Sequence, residues 1–272
     1  MKTPKLVICD VDGTIFDRKD TVTEGLIHLR TIIKKHKIPF TLASGRCYTN
    51  LKNLSDYLGV DLPVIVNNGT GIMDENTLFW SASINQDDIK EAVEYADQCG
   101  MLISFCNARE EIIYRHNEYV QSYIERFQKS YQFCHTAASK FRGGWPDFEV
   151  QKLLIIDCQK PGRVDEVISK IKKRNDTLSI VRYDDRSIDV MPGGCGKRSG
   201  VERLSQMLGI KMEDIMAIGD NENDLEMLSA VGLGVAVQNA TETLKRVADY
   251  VCHQDAAAGV AEAVGKAFSG QD

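Results

Sequence analysis

The chain has 272 residues, 43% hydrophobic and 26% charged, a globular composition with enough apolar material for one large domain or two ordinary ones. Lys and Arg number 33 against 39 Asp and Glu, and this net charge of -6 argues against a polyanion-binding surface, so no nucleic-acid partner is expected. No apolar run approaches the roughly 20 residues of a membrane-spanning helix, Met1–Lys5 lacks a signal peptide's apolar core, and the scattered cysteines form no Cys-x-x-Cys pair, so a cytoplasmic protein with neither membrane nor zinc is expected.

Leu6-Val7-Ile8-Cys9 reads as a buried strand that delivers Asp10 and Asp12 to its end and breaks at Gly13. Residues i and i+2 share a strand face, so the two acids start on one side, and the Gly13 turn can swing Asp12 away. Close carboxylates repel unless a cation or a shared proton compensates them. Thr21 to Glu24 has capping-box spacing before a helix reaching about Lys37. A strand over 39–43 then ends in Ser44-Gly45-Arg46, a helix through Leu51, Leu54 and Leu58 closes at Gly59, and a strand over 63–67 ends at Asn68-Gly69. Strands alternating with amphipathic helices predict a parallel sheet built from right-handed βαβ units.

From about Ser83 the residues read as a separate α/β module. Helices are expected over 87–99, 117–129 and 163–173, with strands over 101–105, 112–114, 150–157, 178–183 and 188–191, and an irregular loop over 130–149. Arg115, His116 and Trp145 are candidate contacts on side-chain type alone, and Asp184-Asp185 reads as a solvated turn. The glycine-rich stretch 193–196 then places Lys197 at a helix start, where lysine charge and helix dipole both favour an anion. The apolar strand Ile215–Ile218 runs into Gly219-Asp220-Asn221-Glu222-Asn223-Asp224, and further strands and helices continue the alternation to a terminal helix over 259–268.

Asp10 with Asp12, Ser44-Gly45, Lys197, and Asp220 with Asn223 and Asp224 thus follow apolar strands or open helices. The C-terminal strand ends of a parallel sheet share one edge, so these groups can converge there. Carboxylate and carbonyl oxygens without His or Cys nearby fit a hard divalent ion, Mg²⁺ above all, with substrate phosphate completing its shell.

Taken in order, Asp10-Val11-Asp12-Gly13-Thr14, Ser44-Gly45-Arg46, Lys197 and Gly219–Asp224 resemble the motifs of the haloacid dehalogenase superfamily of phosphohydrolases. The module between the second and third resembles the inserted cap of its Cof-type (type IIB) branch. The resemblance implies a Rossmann-like parallel-sheet core with helices on both faces, residues 1–82 and 187–272, and an inserted smaller α/β cap, residues 83–186. It further implies a Mg²⁺-dependent phosphatase acting on a small phosphorylated metabolite, a sugar phosphate, nucleotide or cofactor phosphate. Asp10 would be the nucleophile that forms an aspartyl-phosphate, and Asp12 the general acid and then base. Mg²⁺ would take the Asp10 carboxylate, the Asp12 main-chain carbonyl and Asp220. Ser44, Gly45, Lys197 and Asn223 would hold the phosphoryl oxygens, and Asp224 would steady Lys197 or the metal's waters. Arg46 is either a substrate contact or an ion-pair partner, and Asn68-Gly69 either a substrate contact or a type I′ turn. Other readings of these groups are a phosphotransferase or mutase, or a non-catalytic phospho-acceptor module of the receiver type.

Overall fold

The computed structural model describes residues 3–17, 21–130 and 144–269. Its first half alternates β1 (Leu6–Cys9), α1 (Glu24–His36), β2 (Phe40–Leu42), α2 (Tyr48–Leu58) and β3 (Val64–Val66), followed by the short strands β4 (Gly71–Met73) and β5 (Leu78–Ser81). Next come α3 (Gln86–Gln98), β6 (Leu102–Cys106), β7 (Glu111–Ile113), α4 (Glu118–Ser130), β8 (Lys152–Ile156), α5 (Val164–Arg174), β9 (Ser179–Arg182) and β10 (Ser187–Met191). The last part holds α6 (Lys197–Leu208), β11 (Ile215–Gly219), α7 (Leu225–Ala230), β12 (Leu233–Ala236), α8 (Glu242–Val247), β13 (Tyr250–Val251) and α9 (Ala256–Phe268). Most of the irregular stretch expected over 130–149 lies outside the described residues.

One sheet has the order β13-β12-β11-β1-β2, with every pairing parallel. β1 sits inside it between β11 and β2, which is why Leu6 to Cys9 are all apolar and fully buried. Helices on both faces share one core with this sheet, including α1 through Leu26, Leu29 and Ile33 and α9 through Val260 and Val264. Strand C-terminal ends therefore meet on one edge, as the alternation predicts.

Three local readings differ from the structure. The cap of α1 is Thr23, whose Oγ1 accepts from the Leu26 amide at 3.2 Å, so the residue after the predicted Thr21 start lies outside the helix. β3 meets the parallel sheet through the isolated Ala43–Ile65 bridge rather than a strand ladder and pairs instead, antiparallel, with β4, which pairs with β5. The sequence reading missed β4 and β5 because three- and four-residue strands are too short to show a period.

The second sheet has the order β7-β6-β8-β10-β9 and is antiparallel throughout. Its pleat sends Ile103, Phe105, Leu153, Ile155, Ile188 and Val190 to one face, where they pack under α3 and α5. β10 is a full member of this sheet, although a boundary at residue 187 assigns it to the parallel-sheet core. The alternation Ile188-Asp189-Val190 is the period of a half-buried antiparallel strand, which marks where it belongs.

Candidate active site

Asp10 follows β1 directly, and its amide bonds the Ile218 carbonyl at 2.9 Å, so it sits inside the sheet edge and is 3% exposed. The Lys197 Nζ, at the first residue of α6, stands 2.6 Å from Asp10 Oδ1 and 2.6 Å from Asp224 Oδ1, with all three side chains buried. On the other side, the Thr14 hydroxyl lies 2.9 Å from both Asp10 Oδ2 and Asp220 Oδ1. One hydroxyl hydrogen serves one acceptor at a time, so the two carboxylates compete for it.

Glycine makes this crowding feasible. Gly13 takes φ 89° in the turn after Asp12, and a Cβ there would come within 2.0 Å of Asp220 Oδ2. A Cβ at Gly219 would lie 2.6 Å from Asp224 Cγ. The Asp224 side chain is therefore folded back under its own loop, where Oδ2 accepts from the amides of Asp220 at 3.1 Å and Asn221 at 3.2 Å.

The electrostatics follow from three acids around one ammonium. Burial pushes the Asp10 carboxyl well above the ordinary carboxylate range, with Asp224 and Asp220 adding to the push and Lys197 opposing it. Burial, then Asp224, pushes Asp220 up to about 6. Burial alone would push Lys197 down, but Asp10 and Asp224 outweigh it and keep the ammonium charged. Ligand oxygens of Asp10, Asp220 and Asp224 lie within 4.8 Å of one another, an all-oxygen donor set that fits a divalent cation. Asp224 Oδ1 meets Lys197 and its Oδ2 accepts from two main-chain amides, Asp10 is met by Lys197 and Thr14, and Asp220 Oδ1 shares the Thr14 hydroxyl.

Asp12 is turned away from this cluster. Its half-exposed carboxylate meets the Arg46 guanidinium, Nε to Oδ2 at 2.9 Å and Nη2 to Oδ1 at 2.6 Å. What burial it has acts upward, but Arg46 outweighs it and holds the Asp12 carboxyl below its usual range. Arg46 is thus no surface ion-pair partner: it is largely buried, pairs with Asp12 and lines the cavity described below. Ser44 is fully buried, and its Oγ accepts from the Arg46 amide at 3.2 Å, which shapes the loop that carries Gly45 and Arg46.

Asn68 and Gly69 are the central pair of the turn that joins β3 to β4, with Asn68 at φ 54°, ψ 35° and the Thr70 amide on the Asn67 carbonyl at 3.4 Å, the type I′ alternative of the sequence reading. Asn67, Asn68 and Gly69 all take positive φ, at 49°, 54° and 93°, and this places Gly69 where a Cβ would come within 2.1 Å of the Gly196 carbonyl, just before Lys197. The buried Asn68 amide donates to Tyr183 Oη and to Asp189 Oδ2, both at 2.9 Å, and its Oδ1 lies 3.4 Å from Asn223 Nδ2.

A cavity of about 350 Å³ opens onto Asp10, Asp12, Gly45, Arg46 and Asn223 from the second sheet. On that side lie residues the sequence reading did not select, chiefly Lys152, Tyr183 and Asp189. Lys152 Nζ donates to the Gly45 carbonyl at 2.6 Å and pairs with Asp189 Oδ2 at 3.1 Å. Burial would push Lys152 down, but Asp189 overrides it and the ammonium stays charged. The available signal was a charged residue within an apolar strand, as in Ile188-Asp189-Val190. Arg115, His116 and Trp145 do not line the cavity. Arg115 pairs with Asp97 at 2.6 Å, and Trp145 packs on Phe105 on the opposite sheet face, 5.0 Å between ring centroids. Asp184 is the expected turn, its Oδ1 accepting from the amides of Arg186 and Ser187.

Residues 7–264 match the model of a family described as haloacid dehalogenase-like hydrolase. The chain is 29% identical to phosphoglycolate phosphatase 1 of Saccharolobus solfataricus, over 98% of this chain and 97% of that one. It is 25% identical to a 5-amino-6-(5-phospho-D-ribitylamino)uracil phosphatase of Bacillus subtilis, over 96% and 94%. A solved subclass IIB sugar phosphatase of the same superfamily shares the fold, with a TM-score of 0.76 at 24% identity over 97% of this chain and 99% of that one.

Proposed function

Because the chain belongs to the haloacid dehalogenase-like hydrolase family and is a phosphatase of it, we propose that it is a Mg²⁺-dependent enzyme hydrolysing a small phosphorylated metabolite through an aspartyl-phosphate on Asp10. The observation that carries this reading is Asp10 itself: a buried carboxylate at the floor of a cavity, held at Oδ1 by Lys197 and at Oδ2 by Thr14.

In the first step an Asp10 oxygen attacks phosphorus, the ester P–O bond breaks, and Asp12 gives its proton to the leaving oxygen. In the second, water attacks the same phosphorus, Asp12 takes the water's proton, and phosphate leaves with Asp10 restored. The resting ion pair with Arg46 keeps Asp12 ionised, which is its form for the second step. An incoming phosphate dianion raises the Asp12 carboxyl against that pull, which favours the protonated form needed first. Lys197, Asn223, the Ser44 hydroxyl and the Gly45 amide hold the phosphoryl oxygens. Asp10, Asp220 and the Asp12 main-chain carbonyl would hold Mg²⁺, which would supply the positive charge that offsets phosphate and carboxylates together.

The second sheet and its helices act as a cap over residues 1–82 and the parallel-sheet residues after β10, closing on the substrate and selecting the leaving group. The reading is tested by a phosphate-release screen over a metabolite panel with Mg²⁺. Free phosphate equal to substrate lost, abolished in Asp10→Asn, supports it. Phosphoryl transfer to a second sugar without phosphate release would replace it with the phosphotransferase reading.

A further inference from the structure

The cap-sheet face that looks onto Asp10 is graded from polar to apolar. Register places Lys152, Leu154 and Ile156 of β8 on the same face as Asp189 of β10 and Ile113 of β7, opposite to the residues packed under α3 and α5. Lys152 touches Gly45, next to the phosphate loop. Leu154 follows two residues on and Ile156 four, about 13 Å further along the strand. There α4 packs on the same face through Val120 and Ile124, and Leu154, Ile156, Tyr123 and Ile124 all line the cavity.

The polar end lacks a donor. Asp189 is 1% exposed; its Oδ2 meets Asn68, Tyr183 and Lys152, while its Oδ1 is buried without a hydrogen-bond partner. Both cations lining the cavity are already engaged, Lys152 by Asp189 and Arg46 by Asp12. A leaving group with its own carboxylate would face Asp189 with no cation to receive it. A neutral hydroxyl stem brings no such charge and can bond the polar groups lining this end, Lys152 and Tyr183 among them. A leaving group polar along its whole length would in turn bury its hydroxyls against Leu154 and Ile156, unpaired.

Building on the phosphatase reading above, we propose that the released alcohol is amphipathic: a hydroxyl-bearing stem beside the ester, next to Lys152, Tyr183 and Asp189, and beyond it an apolar group against Leu154, Ile156 and Ile124.

The test compares kcat/KM of the Mg²⁺-loaded enzyme for flavin mononucleotide, glucose 6-phosphate and phosphoglycolate, with acetyl phosphate as a probe of phosphatase chemistry alone. Flavin mononucleotide is expected to lead the other two esters by tenfold or more. Leu154→Gln and, separately, Ile124→Gln are expected to collapse that lead through a raised KM. Acetyl phosphate turnover with an equal or reversed order, or a lead that survives in both variants, overturns the inference and leaves the phosphatase reading standing. Failure of the wild type on all four compounds would overturn both.

Discussion

Arg46 grips Asp12 with two parallel hydrogen bonds, Nε to Oδ2 at 2.9 Å and Nη2 to Oδ1 at 2.6 Å. The fork fixes both the orientation of the carboxylate and its charge, which a single point contact would not. Arg46 is in turn set by its own loop through its amide on Ser44 Oγ, which ties the Ser44–Arg46 loop to the Asp12 carboxylate. Arg46→Gln is expected to lower kcat by about 100-fold, the typical cost of misplacing a catalytic group. Arg46→Lys should recover only part of the loss, and steady-state kinetics on any accepted phosphomonoester checks both.

Asp10→Asn removes the nucleophile but keeps the shape and leaves Lys197 paired with Asp224 at 2.6 Å. Turnover should fall by more than about 10⁴-fold, while the melting temperature stays at or above that of the wild type, because one of three crowded carboxylates is gone. Calorimetry alongside a phosphate-release assay measures the two effects separately.

Asp220 is pushed up to about 6 by burial and by Asp224. A carboxyl whose folded pKa lies above its unfolded value near 3.9 destabilises the fold progressively as pH rises between the two and keeps that cost above the folded value. Asp220→Asn should therefore raise the metal-free melting temperature at pH 7.5 by roughly 2–4 °C. The same variant should lose the stabilisation that added Mg²⁺ gives the wild type by binding only the folded state. A chelator should silence the wild type, and restored turnover on adding Mg²⁺ back checks the metal.

Away from the site, Asp157 is fully buried and pairs with Arg163, Nε to Oδ2 at 2.5 Å, while Oδ1 accepts from the amides of Gln159 and Lys160. Burial acts upward on its carboxyl, but these partners outweigh it and hold it below the ordinary range. A depressed folded pKa gives stability that is present above the unfolded value near 3.9 and is lost as pH falls through the folded one. Asp157→Asn should cost about 3 kcal/mol at pH 7. The gap between variant and wild type in urea titrations should shrink below pH 4.

The elements that carry the site were legible from residue order. The apolar run before Asp10, the glycines at 13 and 219 and the helix start at Lys197 each encode a strand, a turn or a cap within a few residues, and alternation of such elements specifies the parallel sheet. Convergence of Asp10, Lys197 and Asp220 on one edge followed, because strand ends in such a sheet must share it. Packing alone decided the partnerships. Arg46 reaches Asp12 across 34 residues, Lys152 reaches the Gly45 carbonyl across 107, and Asn68 reaches Asp189 across 121. No local spacing records such pairs: Arg46–Asp12 exists only once β1 and β2 are side by side, and the other two only once the second sheet is seated on the first and buried polar groups find partners there. The sequence by itself thus determined which acids stand at the sheet edge, and the tertiary structure decided that Arg46 holds Asp12 and that Lys152, Asn68 and Tyr183 gather on Asp189 beside it.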